Sequence, residues 1–509
     1  MDQLYLGIDL GTSATKAVLV RADGQVVARG AAAHPDARTI EAGRVDPRPW
    51  MRSLAEACAS LGPARAQVTA LSVAVHSPVA LFLDGDGVPL CPGVRWEHPA
   101  LGPLCDSAAG LRTPEEARLV HNRTEPSTTM ALAWPVATGA HADLARQCVT
   151  FGLVGTWLGQ FLTGKAAIEP TQASYMGLMA ATDGNPRWLA ELADRYGVPA
   201  TTLPSILPSL AVLGPLLEGA GGALGLPAGI PGVVGAADTA SAAYLMQLED
   251  GGPPLYTVGT THVITSCRTA PEPVPLALSR AHVVPGRWLT HGAVNGGDAL
   301  ALGARLLGHG SGGDAVRRMT EAARRALPED AEDAPVFIPH TAAERGPLWL
   351  REPHTALLGL LPHTTAESAA WGLTEGVAFA SRLVLEMCTE GRLGPGEPVF
   401  MAGTFATGDA YPQIVADALG RPVRLVEESH LPAMGAAAMA AASVDGIALP
   451  RPDARLVEPR PEWTATVDRR WRRFARQWSD VVGRPFPVDV PDAAAASLTA
   501  AELLAASPS

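Results

Sequence analysis

Four short stretches of the sequence carry residues that could act on a phosphorylated ligand. The first is Gly7-Ile8-Asp9-Leu10-Gly11-Thr12-Ser13-Ala14-Thr15-Lys16. A carboxylate at a strand end, as Asp9 would be, can hold Mg2+ through water. The turn Gly11-Thr12-Ser13 offers backbone N–H groups and hydroxyls to phosphate oxygens, and Lys16 adds a point charge nearby. In the second stretch, Gly232 to Ala242, Asp238 stands alone among small residues. Such a carboxylate can take the proton of a substrate hydroxyl. The third is Gly259-Thr260-Thr261, a turn suited to terminal phosphates. The fourth is Gly403-Thr404-Phe405, where a glycine after a strand lets a flat base approach the backbone. Taken singly, each has a plainer reading. Asp9 could sit in an ordinary tight hairpin, Asp238 could be a helix N-cap, and the other two could be simple turns.

The elements around these residues read as α/β. Leu4 to Leu10, Thr15 to Val20 and Gln25 to Arg29 are strand-like runs separated by turn residues. A helical pattern follows from Pro49 to Leu61. Strands are then expected at Val68 to Val75, Val79 to Leu83 and Val88 to Leu90, and residues 111–230 read as mostly helical. A second strand–turn–strand unit, Leu255 to Thr265, repeats the shape of the opening hairpin and its Gly-Thr turn. Long helices are expected at Ala366 to Cys388 and Tyr411 to Leu419. Two such units about 245 residues apart imply two domains of like topology with a cleft between them. The expected divisions are 1–244, 245–485 and an Ala/Pro-rich tail, 486–509.

The chain has 509 residues, 47% hydrophobic and 18% charged, which is ordinary globular composition. Its formal charge of −12 argues against general affinity for nucleic acid or an anionic membrane. No apolar run reaches membrane-spanning length, and Met1-Asp2-Gln3-Leu4-Tyr5 lacks the basic and apolar regions of a signal peptide. The 6 cysteines are scattered without a CxxC pair, so a reduced, cytoplasmic protein is expected. Of 39 basic residues only Lys16 and Lys165 are lysines.

Order and spacing of the four stretches resemble the FGGY carbohydrate kinases of the actin/hexokinase/heat-shock ATPase superfamily. Glu375-Gly376-Val377-Ala378-Phe379 and Gln413 to Gly420 extend the likeness. So does Glu344-Arg345-Gly346-Pro347, which is similar to the family's G-E-R-T-P with Ala343 and Gly346 as departures. The resemblance implies two ribonuclease H-like domains with an interdomain active site, and transfer of the γ-phosphoryl group of MgATP to a sugar hydroxyl. It assigns Asp9 to Mg2+ and Asp238 to the catalytic base. Gly11, Thr12, Ser13 and Lys16 fall to the first phosphate loop. Gly259, Thr260, Thr261 and Gly297 fall to the second, and Gly403 and Thr404 to the adenosine site. It also raises homodimer assembly, for which no interface is legible in the residues.

The sugar side departs most from the family. Ser72-Val73-Ala74-Val75-His76-Ser77 aligns with a xylulose-kinase-style S-G-Q-M-H-G or a gluconate-kinase-style S-S-A-M-H-S, which assigns Val75 and His76 to the sugar. His76 could equally be a structural histidine capping a buried strand. Trp96-Glu97-His98 aligns with W-N-D or W-A-D, so Trp96 and His98 are expected at the sugar, with His98 in place of an acid. A donor there suits an acidic sugar better than a carboxylate would. A ketopentose such as D-xylulose or a sugar acid such as gluconate is therefore expected as acceptor. The same departures admit a catalytically silent sensor of sugar or nucleotide. Retention of Asp9, Lys16 and Asp238 favours an active kinase, because a pure binder needs no base.

Overall fold

The computed structural model describes residues 3–34, 42–270, 274–326, 331–394, 396–406 and 408–490. Most of the expected tail, residues 491–509, lies outside the described residues.

Two large sheets dominate, and they repeat one strand order. In the first, neighbouring strands run Val26–Ala33, Ala14–Arg21, Leu4–Leu10, Val68–Val75, Pro231–Ala237 and Val212–Pro215. In the second, the same places are taken by Trp288–Val294, His262–Arg268, Leu255–Val258, Val399–Ala402, Val423–Val426 and Ala454–Val457, with Leu278–Ala281 added beyond the first of these. In each sheet three antiparallel strands are followed by two parallel ones and an antiparallel edge strand. The opening strand Leu4–Leu10 is buried along its whole length. Neighbours on either side and cover on both faces explain why it reads as a continuous apolar run rather than an alternating one.

The domains are joined through small residues. Helix Leu431–Asp445 belongs to the second half of the sequence, yet its residues pack with those of strands Leu4–Leu10 and Val68–Val75 and of helix Asp238–Leu245. Both helices are rich in Ala, so their backbones approach closely and form one interdomain core with Ala236, Ala237, Ala243, Ala436 and Ala440. Tyr5 Oη donates to Asp445 across the same seam at 2.7 Å.

Two local expectations change. Val88 to Leu90 is not a strand, and only Pro89 bridges to Leu83. Proline has no N–H to extend a ladder. Residues 111–230 are not mostly helical. Short helices such as Pro114–Val120, Ala133–Ala140 and Val154–Thr163 alternate with short strands, and Thr150–Leu153 joins a small sheet with Val79–Leu83. Contacts that are distant in sequence decide those strands, so periodicity over so few residues cannot show them. Among the described residues no helix is long and apolar enough to cross a membrane.

Candidate active site

Asp9 lies near the end of strand Leu4–Leu10, opposite Lys16 in the hairpin and beside Ala74 of the next strand. It is buried, and its Oδ1 has no hydrogen-bond partner. Burial, then the negative charge of Asp238, push its pKa up to about 7, while Lys16 opposes the shift. A buried carboxylate oxygen without a hydrogen-bond partner is what a divalent cation would satisfy. Among the described residues no group of three or more His, Cys, Asp or Glu could cage a metal. Mg2+ keeps several waters and takes few protein ligands, so a single carboxylate such as Asp9 could hold it.

The first hairpin tip carries Thr12 and Ser13 exposed, with Gly11 N–H donating to Ala14 O at 3.0 Å. A buried polar chain supports it from below. His34 Nε2 lies 2.8 Å from Gly11 O and its Nδ1 lies 2.8 Å from Ser53 Oγ, which is 2.9 Å from Thr15 Oγ1. Sequence reasoning missed His34, because nothing local marks a histidine as the prop of a loop some 20 residues earlier. Lys16 Nζ donates to Ser429 O at 3.2 Å and so ties the hairpin to the second domain.

Asp238 is the first residue of helix Asp238–Leu245. The cap position is Ala237, so Asp238 is not a helix N-cap. Its Oδ1 accepts from Thr239 N at 2.7 Å and from Thr239 Oγ1 at 3.1 Å. These bonds fix the carboxylate, and among the described residues Oδ2 takes none. Burial raises its pKa, against the pull of the Thr239 donors and of Arg345.

The second hairpin turn, Gly259 to Thr261, meets the start of helix Gly296–Leu306. Gly297 N–H donates to Thr260 O at 3.0 Å. A Cβ on Gly297 would stand 2.1 Å from Gly259 O and 2.8 Å from the Phe405 ring, so only glycine allows this approach. Gly403 has φ +118, and a Cβ there would stand 2.5 Å from Val258 O. Gly259, Thr260, Gly297, Gly403 and Phe405 are thus brought together. Thr261 completes the turn, and Thr404 is exposed beside Gly403. Phe405 was no site candidate in the sequence, where a lone aromatic after a glycine carries no signal of its own.

The sugar-side residues are placed less uniformly. Val75 ends the strand between Leu10 and Ala237, with its side chain in the core of the first sheet. His76 is buried, with Nδ1 2.8 Å from Leu10 O and its ring edge-on to Trp50 at 5.0 Å. Burial pushes its pKa down to about 4, so the ring is neutral. Trp96 lies under the Arg345 guanidinium at 5.1 Å and lines a cavity of about 290 Å3 with Arg123, Glu125, Glu344 and Trp349. The structure does not bring His98 to this cavity. His98 lines another one, of about 470 Å3, with Arg44, Val136 and His141. Another cavity, of about 540 Å3, lies between Leu276, Leu385, Leu419 and Val488 and holds none of the candidate residues. Burial lowers the pKa of Arg345, and the charges of Glu97, Glu344 and Asp238 are among those that oppose the shift.

Family models for the N-terminal and C-terminal domains of the FGGY family of carbohydrate kinases match residues 4–244 and 255–444. The chain belongs to the FGGY family of carbohydrate kinases. A xylulose kinase of Streptomyces coelicolor is 28% identical, over 94% of this chain and 93% of its own. A glycerol kinase of Thermus brockianus is 30% identical, over 92% of this chain and 97% of its own. A solved gluconate kinase of Lactobacillus acidophilus superposes with a TM-score of 0.83 at 19% identity, over 95% of this chain and 99% of that one. That likeness shows the shared two-domain, actin-like ATPase fold. This FGGY kinase is an enzyme that phosphorylates a sugar at the expense of ATP. Nothing in these matches supports the silent-sensor reading. The three relatives are named for three different acceptors, so family membership leaves the acceptor open.

Proposed function

We propose that this kinase transfers the γ-phosphoryl group of ATP to a sugar hydroxyl held at Asp238, in the cleft between the two repeated domains. The acceptor class is a D-xylulose-type ketopentose or a gluconate-type sugar acid. One observation carries the reading. Asp9, near the end of strand Leu4–Leu10, and Asp238, just past the end of strand Pro231–Ala237, stand at the same edge of the first sheet, and the charge of Asp238 helps to raise the pKa of Asp9.

Asp238 Oδ2 takes the hydroxyl proton as the oxygen–phosphorus bond forms, and the bond between the β and γ groups breaks with its electron pair going to ADP. The Thr239 bonds aim the carboxylate. Asp9 would hold Mg2+ through water, and the ion supplies neutralisation of charge on the transferred group. Gly11, Thr12, Ser13 and Lys16 face the γ-phosphate from the first domain. Gly259, Thr260, Thr261 and the amide end of the Gly297 helix face the terminal phosphates from the second. Gly403 and Thr404 lie against adenosine. Closure of the two domains would exclude water, the competing nucleophile. A cytoplasmic location and a homodimeric state belong to the same proposal.

The reading is tested by phosphorus NMR of the enzyme with ATP and candidate sugars. A new sugar phosphate resonance is expected with Mg2+ and is lost with a chelator. Release of inorganic phosphate without any sugar phosphate would contradict the reading.

A further inference from the structure

The strand that delivers Asp238 loses its outer neighbour before it ends. Strand Val212–Pro215 pairs with Pro231–Ala237 only at residues 231–233. Beyond Val233 the register with strand Val68–Val75 also shifts, so that Ala236 lies beside Ala74 and Ala237 beside Val75. Gly235 takes φ +91 at this shift, and a Cβ there would stand 2.1 Å from Val73 O. The N–H groups along the open edge find other acceptors. Val234 N donates to Ala211 O at 3.0 Å, Gly235 N to Ser209 O at 3.1 Å and Ala237 N to Thr171 Oγ1 at 2.8 Å.

The last of these acceptors is a side chain, and it stands next to Asp238. Thr171 is 1% exposed and belongs to the short helix Pro170–Ala173, which Glu169 caps. The buried Glu169 carboxylate accepts from Thr171 N at 2.6 Å, Gln172 N at 3.0 Å and Ser209 Oγ at 3.2 Å. One carboxylate therefore ties together two supports of the strand end, Thr171 and Ser209. The same turn reaches further. Gln172 Nε2 donates to Ser77 Oγ, beside His76, and Ser174 Oγ accepts from Ala281 N of the second domain at 3.1 Å.

Ala237 is the cap residue, with φ −60 and ψ 148, and Asp238 opens the helix that follows. The bonds from Thr239 fix the Asp238 carboxylate on its own helix. They do not fix where that helix starts on the first sheet. The bond from Ala237 N to Thr171 does.

We propose that Thr171, held by Glu169, is a positioning residue for phosphoryl transfer, its hydroxyl pinning the Ala237 N–H and so setting Asp238 against the acceptor hydroxyl. This rests on the reading of Asp238 as the base. Such a residue governs the rate of the bound complex rather than its affinity, because a small misplacement of a reacting group is costly to the chemical step.

The test uses the full chain. Thr171→Val keeps the side-chain shape and removes the acceptor, whereas Thr171→Ser keeps it. ADP release is measured with D-xylulose, D-gluconate and glycerol, beside melting curves that confirm folding. With the best of these acceptors, Thr171→Val is expected to lower kcat about tenfold to hundredfold, with the KM for ATP within about twofold and Thr171→Ser restoring most of the rate. Glu169→Gln, which turns one acceptor oxygen into an NH2 among donors, is expected to act in the same direction and serves where Thr171→Val does not fold. Hydrogen exchange of segment 234–240 needs no acceptor sugar, and is expected to quicken in Thr171→Val and not in Thr171→Ser. A folded Thr171→Val with natural kcat, unchanged exchange, or no rescue by serine overturns the proposal. Asp238→Asn is measured alongside. Natural turnover in Asp238→Asn removes the base reading itself, whereas its loss beside an unaffected Thr171→Val removes only the positioning role. In the Asp238→Asn background Thr171→Val is expected to cost less than in the natural protein, and an equal further fall would show that Thr171 acts elsewhere and overturn the proposal.

Discussion

Asp9 and Asp238 stand at the ends of two strands that flank the same central strand. Leu4–Leu10 and Pro231–Ala237 both run parallel to Val68–Val75, with Asp9 beside Ala74 and Ala237 beside Val75. Parallel strands end at one edge of a sheet, and ligands of open α/β sheets bind at that edge. The carboxylate proposed to hold a cation and the one proposed to accept a proton are thereby set one strand apart on a rigid frame.

The division of labour between them is tested by Asp238→Asn. The amide keeps the shape and the bonds to Thr239 but cannot take a proton. A loss of about 10²–10⁴-fold in kcat is expected, with little change in the KM for ATP. Steady-state kinetics beside a melting curve check this. Near-normal kcat in a folded variant would remove Asp238 from the base role.

Gly297 makes a sharper claim about the nucleotide. Gly297→Ala places a methyl group 2.1 Å from Gly259 O, a backbone atom that can yield only if the second phosphate turn moves. The KM for ATP is expected to rise about tenfold or more, in line with the loss of a positioned hydrogen-bonding loop. Gly110→Ala, where a Cβ would meet nothing within 4 Å, is the control and is expected to be silent.

Lys16→Met separates two duties of the lysine. If its ammonium meets phosphate, the KM for ATP rises by about tenfold. If it serves only to hold Ser429 O, ATP kinetics stay unchanged and the melting temperature alone falls.

His282 provides a pH signature. Its ring is buried, Nδ1 accepts from Val284 N at 2.9 Å, and burial followed by the charge of Arg287 pushes its pKa from 6.5 down to about 4. Between those values the unfolded chain binds the extra proton and the folded chain does not. The stability this histidine contributes is therefore complete above about pH 6.5 and is lost as the pH falls towards 4. Relative to His282→Asn, which does not titrate, the natural protein is expected to lose about 3 kcal/mol over that interval. Urea unfolding of both proteins at several pH values measures the difference. Parallel curves would mean that the folded state accommodates the charged ring.

Much of this site was legible because its parts are local. Gly11-Thr12-Ser13 and Gly259-Thr260-Thr261 announce hairpin turns in the residues that form them, and the strands around them fall as expected. The distance between the two turns also revealed the repeat. What escaped depends on contacts made only after folding. His34 and Ser53 prop the first turn from elsewhere in the chain. Phe405 reaches Gly297 because two loops of the second domain converge. Strand Leu278–Ala281 docks against Asn122 of the first domain. His98 was placed at the sugar from its position after Trp96, but its backbone N–H bonds to Arg95 O and the turn sets it beside Gly43 and the Arg44 cavity.

The account turns on sugar-dependent phosphoryl transfer, and the most direct measurement is coupled ADP release across ketoses, alditols and aldonates with MgATP. Strong stimulation by at least one of these, abolished by Asp238→Asn, is the predicted result. ATP turnover that no sugar stimulates, or sugar-stimulated turnover that persists in Asp238→Asn, would contradict it.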